Sequence, residues 1–340
     1  MKNFIKKRHF LGIDISQEVL DISLMNEDSY GVYKDKQVKN TFDGFETILE
    51  WTAKQKIKIE DCLFCMEHTG TYGLLLFAWL SQMNIDYCVE PGLKIKRSLG
   101  LTRGKNDKID ARRLAEYACT NRAKLQAFEL PSALILQIKQ FLTYRDQLVK
   151  IKTSLKNSLK SHKTYQKVSG ISEISADIMS QIKDYENHIG KAESKIIQLI
   201  SLDPEVKKNF ELATSVKGIG LVIAAFMLVT TNNFKGFDNG RKYACYSGIA
   251  PFEYSSGSSI RGRKRVSQLG NKRIKSLLSN GANSAYKYDP EIRAYYTRKR
   301  SEGKDHKLVI NAISCKLVNR VFATVKRQTP YVTIYQQNFA

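Results

Sequence analysis

The sequence predicts an α/β layer fold with a mixed sheet at its N-terminal end, then a helical hairpin, then a mainly α and very basic segment. Three observations predict this. Up to about residue 125, short strand-like apolar runs alternate with helix-like ones. From about 130 to 202, apolar side chains recur at the spacings of a coiled-coil seam. Beyond 206, apolar helical stretches are separated by glycine-, serine- and arginine-rich pieces. A chain of 340 residues is long for one core, so the expected division is 1–125, 126–205 and 206–330.

The elements follow in order. "HFLGIDIS" (9–16) reads as an apolar strand ending in an acid, "VLDISLMN" (19–26) as a second strand and "KQVKNT" (36–41) as a third. "GFETILEWTAKQ" has helical periodicity, and "CLFCME" (62–67) is a short apolar run of the central-strand kind. "TYGLLLFAWLSQMN" is an apolar helix, "DYCVEP" a further strand, and "NDKIDARRLAEYACTN" a helix with an acidic first turn, which suits the helix dipole. In the hairpin, Leu134, Phe141, Leu148 and Leu155 repeat every seven residues. Ile178, Ile182, Tyr185, Ile189, Ala192, Ile196 and Leu199 keep spacings of four and three, and the turn falls near "YQKVSGIS". Such a hairpin serves as a spacer or as an oligomer interface. After it come a Gly-Ile-Gly turn before an apolar helix, a second helix leading into a serine-rich loop, and two amphipathic helices at 271–287 and 305–327.

Composition narrows the partners. The net charge of +22 points to a polyanion, nucleic acid first, with an anionic membrane surface as the competitor. No run of about 18 apolar residues suggests a membrane span, and the basic start lacks a signal-peptide core. The six cysteines read as reduced thiols in a cytoplasmic protein. Cys62 and Cys65 form a lone CxxC with no second ligand pair, so packing is its expected role.

Four acids stand out by position. Asp14 lies in an apolar strand, where a carboxylate is costly unless paired or bound to a cation. Glu67 ends the "CLFCME" strand, and Asp107 and Asp110 share one face of a helix start. Gathered at one point they would repel, and Mg²⁺ or Mn²⁺ would supply the missing charge. A pair of such ions activates a nucleophile and steadies the leaving oxygen on a phosphodiester. The bland reading pairs Asp107 and Asp110 with the adjacent Arg112 and Arg113; Glu90 and Asp86 read as loop or strand-end residues.

"PFEYSSGSSIRGRKRVSQLGN" (251–271) admits two readings. It is a solvated basic loop, or a serine nucleophile whose phosphate is clamped by Arg261, Arg263, Lys264 and Arg265, with Lys272, Arg273 and Lys275 beyond. Gly257 would let the backbone approach a polyanion. Gly218 and Gly220 in "VKGIGLV" form a phosphate-binding helix start or a plain tight turn. Tyr295 and Tyr296, interleaved with Arg298, Lys299 and Arg300, either stack on bases or belong to a solvated helix end, with His306 beside them.

"GIDIS…VLDISL", "MEHTGTYG" and "RGKNDKIDARRLAEYA" resemble the three blocks of DEDD-type insertion-sequence transposases of the IS one-ten family. "VKGIGLVIAAFMLVT", "ACYSGIAPFEYSSGSSIRGRKRVSQLGNKRIKSLL" and "GKDHKLVINAISCKLV" resemble that family's C-terminal half, in the same order. Leu269 departs from the family pattern, which has a basic residue before Gly-Asn. The resemblance implies a ribonuclease-H-like (RuvC-like) N-terminal domain whose metal tetrad is Asp14, Glu67, Asp107 and Asp110. It implies Ser256 as nucleophile, with Ser255 second, and a phosphoserine intermediate in DNA strand exchange. It further implies double-stranded DNA as the partner, a bridge RNA that guides the enzyme, and a homo-oligomeric assembly. A junction-resolving nuclease with water as nucleophile, and a non-catalytic nucleic-acid-binding protein, are the rival readings.

Overall fold

Apolar alternation at the start of the chain produces a five-stranded sheet. Its strands are β1 (His9–Ile15), β2 (Val19–Asn26), β3 (Tyr33–Lys39), β4 (Cys62–Glu67) and β5 (Tyr87–Glu90), in the order β3-β2-β1-β4-β5. β1 pairs antiparallel with β2, and β2 with β3, whereas β4 runs parallel to both β1 and β5. The helices of this half are α1 (Phe42–Lys54), α2 (Leu74–Gln82), α3 (Gly92–Ser98) and α4 (Asp107–Asn121). This is a computed structural model; it describes residues 4–68, 70–98, 106–256, 260–267 and 269–332, with 253–256 and 260–265 described by backbone only.

Period-two alternation gives the sheet two different faces. Leu11, Ile13, Phe64 and Met66 form one core with Phe45 and Ile48 of α1 and Leu76, Phe77 and Leu80 of α2. Phe10, Leu63, Cys65 and Cys88 form the other, with Leu114, Ala115, Tyr117 and Ala118 of α4. Cys62 and Cys65 are buried free thiols, in keeping with a packing role.

α4 approaches the sheet unusually closely at Gly12. A Cβ added there would lie 2.0 Å from the Ala111 carbonyl oxygen and 2.4 Å from the Ala115 nitrogen. Only a bare Cα lets backbone lie on backbone at this distance. α4 starts at an Asn106 cap, whose side chain accepts a hydrogen bond from the Lys108 N–H.

The chain divides into two compact units, 1–130 and 131–340. The second opens with α5 (Ala133–Ser169) and α6 (Glu173–Ser201), an antiparallel hairpin that turns at left-handed Gly170. Then come α7 (Pro204–Thr214), α8 (Leu221–Thr230), α9 (Gly240–Tyr246), β6 (Pro251–Ser256), β7 (Ile260–Val266), α10 (Lys272–Tyr288), α11 (Pro290–Ser301) and α12 (His306–Arg327). On α6 the expected seam is present: Ile178, Ile182, Ile189, Ala192, Ile196 and Leu199 are buried and Tyr185 half-buried. On α5, Leu148 is buried but the line shifts near the base to Ile135, Ile138 and Leu142. There α5 meets Val206 of α7 and Ala225 and Leu228 of α8 as well as α6, so a two-helix register no longer decides which residues are covered. The hairpin therefore shares its core with the C-terminal helices.

Two further expectations change. The serine-rich stretch is a two-stranded antiparallel hairpin, β6–β7, not a loop. α12 is long and apolar enough to cross a bilayer by length and composition, although the sequence suggested no such run. Its Val309, Ile313, Leu317 and Val321 lie in the core formed with α8, α9 and α10.

The Gly12 seat predicts a specific packing defect. Gly12→Ala is expected to destabilise the chain by about 3 kcal/mol, the upper part of the range for overpacking, because the obstructing atoms are backbone. Urea unfolding should show the same loss in an Ala111→Gly background, which removes a side chain but not the carbonyl.

Candidate active site

The face of the sheet that carries α4 ends in acids. Phe10 and Gly12 of β1 lie on this face, and Asp14 continues it. Leu63, Cys65 and Glu67 do the same on β4, and Cys88 and Glu90 on β5. Register places Asp21 of β2 directly opposite Asp14, and Glu67 opposite Glu90. Four neighbouring strands thus bring Asp21, Asp14, Glu67 and Glu90 to one end of one face. β1, β4 and β5 are parallel, so Asp14, Glu67 and Glu90 stand at carboxyl ends of strands, where open α/β sheets bind ligands.

α4 adds the other two acids. It runs across Gly12 with Ala115 and Ala111, and its first turn carries Asp110 and Asp107 towards Asp14. Asp35 of β3 anchors that turn from the side. It takes two hydrogen bonds from Arg112, one of 3.1 Å, and pairs with Lys108 at 3.0 Å. These cations hold the Asp35 carboxyl down at about 2 against the opposing effect of its burial. The pairing suggested by sequence is half right: Arg113 binds Asp110 at 2.8 Å, but Arg112 goes to Asp35. Gly92 completes the setting, since a Cβ there would lie 1.9 Å from Glu67 Oε1.

Burial raises the Asp14 carboxyl to about 6, reinforced by the charges of Asp107, Asp110, Asp21 and Glu67. Glu90 is neutralised by Lys94 at 2.7 Å and Asp86 by Lys7 at 2.7 Å. Asp14, Glu67 and Asp107 form no ion pair among the described residues. A set of hard oxygen donors with uncompensated like charge fits a divalent cation such as Mg²⁺. Among the described residues, no three His, Cys, Asp or Glu side chains are grouped tightly enough to enclose one ion. The fit is therefore in charge and donor type. Asp21 and Asp35 escaped the sequence reading. Asp21 lies in the same quoted "VLDISL" block, but its place opposite Asp14 depends on strand register; Asp35 carried no signal.

The serine stretch is held at its base. α9 ends near Gly248, which has a φ of +65°, and a Cβ on Gly270 would come 2.2 Å from the Gly248 Cα. The Asn271 N–H donates to the Tyr246 carbonyl at 2.8 Å, and the Asn271 side chain caps α10. The Ile249 carbonyl accepts from Asn311 Nδ2 at 2.7 Å. From this base β6 rises to Ser255, opposite Arg261, and Ser256, opposite Ile260. Arg263, Lys264 and Arg265 follow on β7, while Gly257 lies outside the described residues.

Other expected nucleic-acid ligands fare differently. Lys272 is exposed at the start of α10 and Lys275 is half-buried. Arg273 instead binds Asp146 of α5, with Nε to Oδ2 at 2.6 Å, and lies over the Phe226 ring. Gly218 has a φ of +95°, and a Cβ there would lie 2.6 Å from the Gly281 carbonyl oxygen, so packing against α10 accounts for it. Gly220 is exposed at the start of α8, with open space around it. Tyr296 stacks on Tyr286 and hydrogen-bonds His306 Nδ1 at 2.8 Å, which occupies both groups internally.

Asp14 predicts a pH effect of definite sign. A carboxyl raised in the folded state binds its proton more tightly there, so its stabilising effect is complete below about 4 and is lost as pH rises through about 6. Asp35, lowered to about 2, acts in a separate, more acidic window. Thermal unfolding of metal-free protein should show Asp14→Asn gaining stability over wild type between pH 4 and 7, with a difference that disappears when Mg²⁺ stabilises the wild type.

Comparison with known proteins places the chain in a family. Residues 11–164 match the DEDD IS110 transposase family, and residues 210–297 match the family described as transposase IS116/IS110/IS902. The pilin gene-inverting protein of Moraxella bovis is 25% identical over 329 residues, covering 95% of this chain and 97% of that protein. The transposase for insertion sequence element IS1533 of Leptospira borgpetersenii is 22% identical over 264 residues, 70% of this chain and 73% of that one. An insertion element IS110 protein of Streptomyces coelicolor is 33% identical over 118 residues, 35% of this chain and 29% of that protein. With one family match over the sheet and most of α5 and another running from α7 through the serine strands into α11, the chain belongs to the IS110 family of transposases.

Proposed function

We propose that this transposase cuts and exchanges DNA strands through a phosphoserine formed on Ser256, assisted by Mg²⁺ held at Asp14, Glu67, Asp107 and Asp110. The observation that carries the reading is that Asp14, Glu67 and Asp107 form no ion pair among the described residues, with the Asp14 carboxyl raised by burial and by the neighbouring acids. The sheet order β3-β2-β1-β4-β5, with three antiparallel strands leading into two parallel ones, supports a ribonuclease-H-like fold for this half.

The chemistry divides between named groups. The Ser256 Oγ–phosphorus bond forms as the bond from phosphorus to one sugar oxygen breaks; the serine loses its proton and the sugar oxygen gains one. The exchanged strand's sugar hydroxyl then attacks the phosphoserine and releases the serine, so no outside energy source is needed. Arg261, Arg263, Lys264 and Arg265 offset the charge that develops on the phosphate. Bound Mg²⁺ supplies Lewis-acid stabilisation of phosphate oxygens. Asp14 and Glu67 hold it from strand ends, and Asp107 and Asp110 from α4. A guide RNA paired to target and donor DNA, and an oligomer joined through the α5–α6 hairpin, complete the proposal. The surplus of cations supports several nucleic-acid partners.

The test traps the covalent link. Denaturing gels of protein incubated with labelled element-end DNA should show an adduct that Ser256→Ala abolishes and Ser255→Ala retains. Asp14→Asn should reduce strand cleavage at least about 100-fold, the scale for losing one electrostatic stabiliser. Undiminished cleavage by Ser256→Ala would favour a metal-dependent nuclease that uses water. RNA recovered with the protein, sequenced for loops complementary to element junctions, tests the guide.

A further inference from the structure

We propose that the outer half of α5 is a track for the backbone of double-stranded DNA. Between Asp146 and Glu173 the chain has no acid and six lysines. Five of them, Lys152, Lys156, Lys160, Lys163 and Lys167, are spaced by four, four, three and four residues, which puts them on one side of the helix. The row is about 22 Å long at 1.5 Å per residue. Lys156, Lys160, Lys163 and Lys167 are exposed.

The flank of a coiled coil ordinarily balances such charges across its two helices. Here that balance stops partway. Lys152 and Lys156 share Glu186 of α6, at 3.6 and 3.2 Å. Lys160, Lys163 and Lys167, further towards the Gly170 turn, form no ion pair among the described residues. Like charges one turn apart destabilise a helix, and a polyanion laid along them reverses the sign of that effect. Duplex DNA presents about one phosphate charge per 1.7 Å of axis counting both strands, so a row of this length faces several of them on the near side of the duplex. The row contains no aromatic residue. Tyr165 is exposed but stands two positions from both Lys163 and Lys167, off their side of the helix. Contact with a duplex backbone needs no stacking, whereas single strands are held by it. The choice of DNA as the polyanion rests on the transposase reading; the track itself does not depend on the serine or the metal.

Binding of a fluorescent 40-base-pair duplex to the full chain, measured across NaCl concentrations, tests the track. Lys160→Gln, Lys163→Gln and Lys167→Gln combined should weaken binding by about tenfold or more at 0.15 M salt and lower the slope of log Kd against log salt by about 2–3. The matching Arg triple should keep the wild-type slope. Lys191→Gln, Lys195→Gln and Lys208→Gln remove the same charge elsewhere in the same unit and should change the slope far less. Should the Gln triple unfold, single Lys163→Gln is expected to lose about one unit of slope. An unchanged slope, or a loss equal to that of the control triple, overturns the proposal. A loss seen with an RNA hairpin but not with duplex DNA overturns the choice of DNA. Wild-type protein that binds no duplex would overturn the DNA-acting reading itself, an outcome distinct from equal binding by wild type and variant.

Discussion

Backbone contact between α4 and the bare Cα of Gly12 sets the geometry of the acidic site. A side chain on β1 at that point would sit 2.0 Å from the Ala111 carbonyl oxygen, far inside contact distance, and would push the helix off the strand. Asp107 and Asp110 would rise with it, away from Asp14. Glycine in a strand interior normally costs stability, because it buries no side chain and loses more entropy on ordering. Here the cost is offset by a contact that no other residue permits. Asp35 acts on the same helix from the other side. It holds Arg112 and Lys108, which flank the two α4 acids, and keeps those cations off the carboxylates. Gly92 clears space for Glu67 in the same way that Gly12 clears it for α4.

The electrostatics of the molecule are locally opposite to its overall charge. A chain with a surplus of 22 positive charges places Asp21, Asp14 and Glu67 side by side on adjoining strands. Like charges directly opposite on paired strands destabilise a sheet. Of the described cations nearest in sequence to the α4 acids, Lys108 and Arg112 are held by Asp35, while Arg113 pairs with Asp110. Among the described residues that leaves Asp14, Glu67 and Asp107 short of positive charge, which a metal-bridged phosphate would supply. A structural acid cluster would be more economically built with its lysines turned inward, as Glu90 is with Lys94.

The second unit treats its basic residues in two ways. Arg273 and Arg320 are built into the packing, paired with Asp146 and with the buried Asp289. β7 carries its Arg and Lys residues on a hairpin whose base is held by the Gly248–Gly270 contact and Asn271. The lysines of outer α5 lie along one exposed side of the helix. A basic residue near a helix start therefore need not be a phosphate ligand; its partner decides.

The sequence alone determined the order and type of most elements, because period-two and heptad patterns are local properties of the chain. It also singled out Asp14 and Glu67, because an acid in or ending an apolar strand is unusual within its own few residues, whereas Asp107 and Asp110 at a helix start are locally ordinary and took their place from the family resemblance. It could not determine what depends on pairing between distant segments. Asp21 joins the acids through strand register, and Asp35 reaches α4 across 77 residues of chain. The shift of the α5 seam arises from helices that start some 70 residues later. The serine stretch reads as a loop because arginines and serines carry little strand signal; two glycines 22 residues apart in the chain meet and close it into a hairpin. Local pattern decided which elements form, and tertiary packing decided which charges are compensated, because compensation requires a partner brought near only by the fold.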